Sequence, residues 1–153
     1  TAQAMLEGRV PVGRKVLVVG GGMVGCEAAE YLAERGHQVA IVEMKDVISA
    51  DVTPENRRYM FANFEEHHVL LRPGAKVGRF YSDGVDYTLA DGAVGSLRGY
   101  DSVVLAMGSR SNAVLKEAVE RIAPQVFVIG EAAKAPGNAV LAAGDALEAA
   151  LKI

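Results

Sequence analysis

The sequence contains few residues that could form covalent or metal cross-links. Its 153 residues include one cysteine, Cys26, and no tryptophan. A single cysteine excludes an internal disulfide, a Cys-x-x-Cys redox pair and an all-cysteine metal or iron–sulfur site within this chain. It also favours a reducing, cytoplasmic setting. Aromatic residues make up only 6% of the chain although half of it is hydrophobic, so we expect a mainly aliphatic core.

Long apolar runs and an excess of positive charge are also missing. The longest uncharged stretch, Val16–Cys26, has 11 residues, whereas a bilayer span needs ~20 apolar residues. The first residues lack the basic start of a signal peptide. The chain has 16 Lys and Arg against 19 Asp and Glu, a net charge of −3, which gives no reason to expect nucleic acid. We therefore expect a globular protein without a membrane or nucleic-acid partner.

Glycine, with 17 residues, is plentiful, and it follows a recognisable pattern. Lys15–Val19 is a short β-branched run of the kind that is buried in a parallel sheet. Three glycines follow, and apolar residues then recur at helical spacing from Met23 to Arg35. Val39–Val42 is a second buried strand. This order of strand, glycine turn, helix and strand predicts an α/β fold with a Rossmann-like parallel sheet.

The middle of the chain predicts a second, antiparallel sheet. Thr53 and Pro54 form a helix start, and we expect this helix to reach about Glu66. A third short strand covers Val69–Leu71. Turn signals then separate three runs that predict a three-stranded meander, and a buried strand follows the meander. These four segments are Ala75–Tyr81, Val85–Ala90, Val94–Tyr100 and Ser102–Ala106.

The ends of the chain differ from this central pattern. Residues 1–14 contain two breakers, Pro11 and Gly13, and are interpreted as a linker. The tail predicts two helices and a buried strand: Ala113–Arg121, Val126–Ile129 as the strand, and Asn138–Lys152. We therefore divide the chain into a linker, a nucleotide-binding domain over residues 15–112, and a C-terminal segment over residues 113–153.

The glycine turn fits the dinucleotide-binding motif Gly-x-Gly-x-x-Gly through Gly20, Gly22 and Gly25. The first glycine permits the tight turn, the second lets a pyrophosphate approach the backbone, and the third allows close packing of the helix on the sheet. The helix then offers its free N–H groups and its positive dipole end to the phosphates. Met23 and Val24, between the second and third glycines, belong to the same predicted phosphate site.

Glu43 ends the second strand 23 residues after Gly20, close to the spacing of ~20 expected for the acidic residue of this motif. Its carboxylate can accept hydrogen bonds from the adenosine ribose and would repel a 2′-phosphate, which favours NAD(H) over NADP(H). Met44 follows, where an arginine would favour NADP(H). The same motif also serves FAD, so these residues alone leave the choice between NAD(H) and FAD open.

The sequence resembles the NAD(P)H domain of two-dinucleotide flavoprotein reductases of the glutathione-reductase type. Leu105–Asn112 is similar to the segment by which the chain leaves that domain, with Ser111 in place of proline, and Val126–Glu131 to the strand that re-enters the FAD domain, with Glu131 in place of aspartate. The resemblance is closer to the C-terminal region of multidomain NADH:flavin oxidoreductases, the group of 2,4-dienoyl-CoA reductase, enoate reductase and trimethylamine dehydrogenase. The stretches that carry it are Gly25–Gly36, Val42–Met44, Asp51–Arg57 and Pro136–Ile153.

This resemblance implies a larger parent protein, with an N-terminal barrel carrying FMN and an iron–sulfur cluster, an FAD half-domain, and then this segment. Residues 113–153 would be the remnant of the FAD-binding domain, and the missing parts would be this chain's partners. The resemblance places Glu27 near the nicotinamide. Gly108, at the end of a sheet strand, is a further backbone contact. We expect NAD(H) at the glycine motif and FAD, FMN and the cluster only in the parent.

Two other functions fit the same residues. The chain could be a non-catalytic module that binds ADP or another adenine nucleotide, or a small flavoprotein that binds FAD itself. We expect no catalytic side chain and no metal ligand, since hydride transfer belongs to the cofactors. Cys26 could have a pKa lowered by the helix dipole, but a buried packing role is the stronger expectation. His67 and His68 are adjacent, point apart, and do not form a chelating pair.

Overall fold

Lys15–Val19 (β1) and Gln38–Val42 (β2) form the centre of a parallel sheet in the computed structural model, which describes residues 1–153. Both strands are buried at every position after the first, as β-branched runs covered on both faces should be. The sheet has four parallel strands in the order Leu70–Arg72, β2, β1 and Ser102–Leu105. The α/β class and the parallel sheet predicted from the sequence are confirmed.

The remaining elements of this region match the predicted order closely. The meander is confirmed as a separate three-stranded antiparallel sheet whose strands pair in their order along the chain. The helices are α1 (Ala2–Leu6), α2 (Met23–Ala33) and α3 (Pro54–Glu66). The other strands are β3 (Leu70–Arg72), β4 (Ala75–Tyr81), β5 (Gly84–Leu89), β6 (Val94–Leu97) and β7 (Ser102–Leu105).

The two faces of the parallel sheet are covered by different layers. Side chains alternate along a strand, so Val16 and Val18 of β1 face a cluster built with the helices, including Leu32 and Phe64. Leu17, on the opposite face, belongs to a second cluster with residues of the meander. Since both faces of the sheet are covered, a ligand can reach the strands only at their ends. In open α/β sheets, ligands bind at the carboxyl ends.

The structure places a helix, α1, in the segment where the sequence predicted a linker. Thr1 caps it by accepting a hydrogen bond from the Ala4 N–H, and Ala2 and Met5 are buried in the cluster that contains α2. Pro11 and Gly13 lie in the irregular segment between α1 and β1. The linker prediction failed because it was based on these two breakers and did not consider the helix-forming residues Ala2–Leu6 before them.

The chain divides into two compact units, residues 1–107 and residues 108–153. The sequence placed this boundary five residues later, after Asn112. The second unit contains α4 (Lys116–Glu120), a short 3₁₀ helix (Gly130–Ala132) and α5 (Ala139–Ala150). Neither α4 nor α5 has a buried residue. None of the helices in either unit has the length and apolar character needed to cross a bilayer.

The prediction of a strand over Val126–Ile129 is wrong, because the structure has no strand in this segment. A strand is defined by hydrogen bonds to a neighbour, and all strands of the two sheets come from residues 15–105. The apolar run alone therefore did not decide the structure here. The last helix does begin as predicted, with the Asn138 side chain accepting a hydrogen bond from the Leu141 N–H.

The burial of α1 predicts that this segment contributes to stability. We expect Met5→Ala to lower the free energy of unfolding by about 2 kcal/mol, because a buried side chain leaves a cavity. Leu6→Ala is the matched control, since Leu6 is 40% exposed and its loss should cost less than about 1 kcal/mol. Urea unfolding followed by circular dichroism measures both. Equal, small losses in the two variants would show that α1 does not belong to the folded core.

Candidate functional site

The glycine turn lies between β1 and α2, at the carboxyl end of the parallel strands. The N–H of Gly20 donates to the carbonyl of Val42 at 2.9 Å, so the turn continues the pairing of β1 with β2. Gly20 has a φ of +107°, a conformation that side chains disfavour. A Cβ on Gly25 would overlap the carbonyl oxygen of Gly20. The fold itself therefore requires glycine at positions 20 and 25.

Gly22 is different, because the fold does not require glycine there. Its φ of −75° and ψ of −177° are open to any residue. A Cβ on Gly22 would have as its nearest neighbour the carboxylate of Asp51, an exposed side chain that can move, at 3.3 Å. The space in front of the helix is thus bordered by a movable group and not by backbone. This is the position where the motif needs room for a pyrophosphate.

Glu43 lies at the end of β2 and is bonded to the glycine turn. One carboxylate oxygen accepts from the N–H of Gly21 at 2.5 Å, and the other accepts from the N–H of Lys45 at 2.8 Å. The side chain is 8% exposed, and its Cβ would be only 2.8 Å from a Cβ on Gly21. Glu43 therefore fixes the turn as well as placing a carboxylate at the predicted ribose position.

Asp51 caps the N-terminus of α2. Both oxygens of its carboxylate lie 3.0 Å from the backbone nitrogen of Met23, the first residue of the helix. Gly22, as the N-cap residue, has no side chain to serve this function. The segment carrying Asp51 is held against the turn, because the N–H of Ser49 donates to the carbonyl of Gly21 at 2.6 Å. Ser49 is fully buried, and its hydroxyl has no hydrogen-bond partner.

Cys26 is a packing residue and not a reactive thiol. It is 0% exposed in the first turn of α2, with Sγ 3.4 Å from the carbonyl oxygen of Gly21. Burial raises the pKa of its thiol to about 12, and the carboxylates of Asp51 and Glu43 add to this rise. The charge of these carboxylates and the loss of water outweigh the helix dipole. The sequence expectation of a buried, inert cysteine is confirmed.

The structure brings together eight of the nine residues predicted for the site. The three motif glycines and Glu43 form the turn described above. The other four are exposed around it: Met23 (45%), Val24 (51%) and Met44 (65%), together with Glu27 on α2. Gly108 is the first residue of the second unit, with a φ of +87°. Its contribution to the site remains a prediction.

Sequence reasoning missed Gly21, Ser49 and Asp51 as parts of this turn. Gly21 occupies a variable position of the motif, and only its contact with Glu43 shows why a side chain would not fit. Asp51 is 28 residues from Met23 along the chain. No spacing rule connects the two, because their meeting depends on how the segment after β2 folds back.

Glu131 has a local structural role within the second unit. Its carboxylate accepts hydrogen bonds from the N–H of Gly137 at 2.8 Å and from the hydroxyl of Ser109 at 3.0 Å. These bonds, that of Gly137 first, hold the pKa of Glu131 below its usual value. Glu131 thus joins two segments of its own unit.

The histidines lie away from the candidate site. All three line a cavity of about 580 Å³ that also includes Lys15 and Gln38, the first residues of β1 and β2. This cavity is therefore at the amino end of the strands, opposite the glycine turn. His67, His68 and His37 are not arranged as metal ligands, since no group of three or more His, Cys, Asp or Glu residues is placed to hold a metal ion.

Comparison with known proteins identifies the family. The profile of the pyridine nucleotide-disulphide oxidoreductases matches residues 1–150, so the chain belongs to this family. Its members are oxidoreductases and flavoproteins that bind NAD(H) and FAD through Rossmann-type domains. The resemblance drawn from the glycine motif and the segments around it is confirmed.

Individual relatives are reductases and oxidases of much greater length. The chain is 42% identical over 122 residues to a bilirubin reductase of Mediterraneibacter gnavus, and covers 19% of it. It is 40% identical over 119 residues to an NADH oxidase of Thermoanaerobacter brockii, and covers 18% of it. These matches include 80% and 77% of this chain, respectively. The chain thus spans about a fifth of the length of these relatives.

Solved structures agree with the fold over nearly the whole chain. A 2-naphthoyl-CoA reductase matches 99% of it with a TM-score of 0.83 and 30% identity, and the match covers 23% of that protein. A histamine dehydrogenase from Rhizobium sp. 4-9 matches 99% with a TM-score of 0.84, and the match covers 25% of that protein. Its identity of 19% supports the fold alone.

The difference between Gly22 and Gly25 predicts that alanine substitutions at the two positions will affect stability to very different extents. We expect Gly25→Ala to lower the free energy of unfolding by about 3 kcal/mol, since the added Cβ meets backbone that cannot move aside. Gly22→Ala should stay within about 1 kcal/mol of the wild type, because it meets only a movable carboxylate and changes an N-cap glycine to alanine. Urea unfolding compares the two. A severe loss in Gly22→Ala would contradict the space seen in front of the helix.

Proposed function

We propose that this chain is the NADH-binding part of a larger flavin-dependent oxidoreductase. The observation that carries the proposal is Gly22, which lies at the N-terminus of α2 and is a glycine although the fold does not require one there. The family to which the chain belongs binds dinucleotides. The absence of a side chain there is explained if a pyrophosphate lies against the backbone. The great length of the relatives supports a parent protein with further domains.

The residues present fit this cofactor, and each has a defined part in holding it. The N–H of Met23 and the dipole of α2 would bind the pyrophosphate, with Val24 and the motif glycines shaping the turn. Glu43 would accept hydrogen bonds from the adenosine ribose, beside the exposed Met44. Glu27, on the exposed side of the first helical turns, would lie towards the nicotinamide, and Gly108 would add a backbone contact.

When bound, NADH supplies the hydride that reduces a flavin. This chain would contribute binding and orientation, because the hydride chemistry belongs to the cofactors and its only thiol is buried. The flavin partner would be the FAD half-domain of the parent. We further propose that residues 113–153 complete that FAD domain, and that FMN and an iron–sulfur cluster lie in an N-terminal barrel. The chain alone should bind NADH without turnover, in a cytoplasmic setting.

The first test is a titration of this chain with NADH, NAD⁺, NADPH, ADP and FAD, followed by calorimetry. We expect NADH to bind more tightly than NADPH, because the Glu43 carboxylate opposes a 2′-phosphate. Gly22→Ala should weaken NADH binding at least about tenfold, a loss of ~1.4 kcal/mol, while the chain remains folded. Gly78→Ala is the matched control, since Gly78 is exposed on β4 and a Cβ there meets no atom within 4 Å.

The same titration separates the alternatives. Equal binding of ADP and NADH would favour the module that holds an adenine nucleotide structurally, because the nicotinamide would then add nothing. Retention of a yellow flavin after soaking with FAD, with no NADH binding, would favour a small flavoprotein. Normal NADH binding by Gly22→Ala would remove the observation on which the NADH proposal rests.

Coenzyme preference can be tested without disturbing the glycine turn. Glu43 is buried against Gly21, so its replacement would alter the turn itself. Met44 is 65% exposed, and Met44→Arg should be tolerated while placing a guanidinium beside the ribose position. We expect the affinity for NADPH to rise about tenfold relative to NADH, since arginine pairs well with phosphate. Fluorescence titration of the reduced coenzymes measures this ratio.

The control for Met44→Arg is Val94→Arg, which adds the same charge at a residue 76% exposed on the antiparallel sheet. It should leave the ratio of the two affinities unchanged. Equal shifts in both variants would indicate a general effect of net charge. No shift in Met44→Arg would place the adenosine ribose somewhere other than the end of β2.

A further inference from the structure

Asp51 occupies the place where the proposed cofactor needs to bind its phosphates. Its carboxylate lies 3.0 Å from the Met23 nitrogen through both oxygens. The same carboxylate would be 3.3 Å from a Cβ on Gly22. Together these distances place one anionic group directly in front of the α2 N-terminus. A carboxylate there imitates a phosphate, since both are anions that accept from helix N–H groups.

The segment that carries Asp51 is anchored, whereas its side chain is free to move. The N–H of Ser49 is bonded to the carbonyl of Gly21 at 2.6 Å, and the N–H of Val52 is bonded to the carbonyl of Ser49 at 3.1 Å. Ser49 is fully buried, so the backbone on this side of Asp51 is fixed. Asp51 itself is exposed, and its only hydrogen bonds are those to Met23. A rotation of the side chain towards solvent would therefore vacate the site without unfolding the segment.

A pyrophosphate and the Asp51 carboxylate cannot share this position. Both need the same N–H of Met23, and two anions at contact distance repel each other. The N–H of Met23 thus has its hydrogen bond satisfied before any cofactor arrives. Binding of the cofactor must exchange one anion for another, and the free energy of binding is therefore less favourable than it would be at a vacant site.

We propose that Asp51 is an internal competitor for the pyrophosphate that lowers the affinity of the site for NADH and speeds its release. This inference rests on the proposed function and assigns a regulating residue to the same site. Asp51 should weaken only the binding of ligands that carry a pyrophosphate. Ligands that carry a pyrophosphate must displace the carboxylate, and ligands without one need not.

The test compares the wild type with Asp51→Asn in titrations with NADH, ADP and adenosine, together with stopped-flow measurement of NADH release. The asparagine oxygen can still accept from the Met23 N–H, so the cap and the fold are kept while the charge is lost. We expect NADH and ADP to bind about tenfold more tightly and NADH to dissociate more slowly, because the repulsion is gone. The affinity for adenosine, which carries no phosphate, should not change.

Asp46→Asn is the matched control. It removes the same charge from the same segment, between β2 and α3, but has no hydrogen bond to the helix. It should leave all three affinities near those of the wild type. An equal gain in Asp46→Asn and Asp51→Asn would overturn the proposal in favour of a general charge effect. A gain for adenosine equal to that for ADP would also overturn it.

Failure of this inference can be told apart from failure of the proposed function. If the wild type binds NADH and Asp51→Asn binds it equally or more weakly, the competitor role is wrong, while the NADH site stands. If neither protein binds NADH or ADP, although circular dichroism and urea unfolding show both to be folded, the proposed function and this inference both fail.

Discussion

In the first turn of helix α2, the backbone at Gly25 packs against the carbonyl of Gly20, and no side chain fits between them. This contact brings the end of β1 and the start of the helix together within one tight turn. It aims the free N–H groups of the helix into the space beyond the parallel strands. The hydrogen bond from Gly20 to Val42 then ties that turn to the neighbouring strand. The position of Met23, and with it the proposed phosphate site, depends on this close approach.

Glu43 shows how one residue serves both the fold and the site. Its carboxylate is almost entirely buried, which would be costly for an unpartnered charge. The N–H groups of Gly21 and Lys45 compensate for this burial and leave a carboxylate at the end of β2. A substitution here would therefore alter the shape of the turn together with the proposed coenzyme preference. The neighbouring Met44, which is exposed, separates these two effects.

The parts of this protein that could be predicted from its sequence are those that local rules determine. β1, the glycine turn, α2 and β2 follow from a buried run, a motif and a periodicity within 28 residues, Lys15–Val42. The meander follows from the turn residues before Gly84 and at Gly92. Where the local structure depends on residues distant in the sequence, the prediction was wrong or none was made. Val126–Ile129 has the composition of a strand but no strand beside it, and Asp51 reaches Met23 only through the folding of an intervening segment.

The burial of Cys26 has a practical consequence for spectroscopy. The chain has only this thiol, and a pKa of about 12 leaves almost none of it as the reactive thiolate at neutral pH. A cysteine introduced at an exposed position near the turn would then be the only one that reacts with a fluorescent maleimide. The native sequence thus needs no prior removal of cysteine before a reporter dye is placed beside the glycine turn.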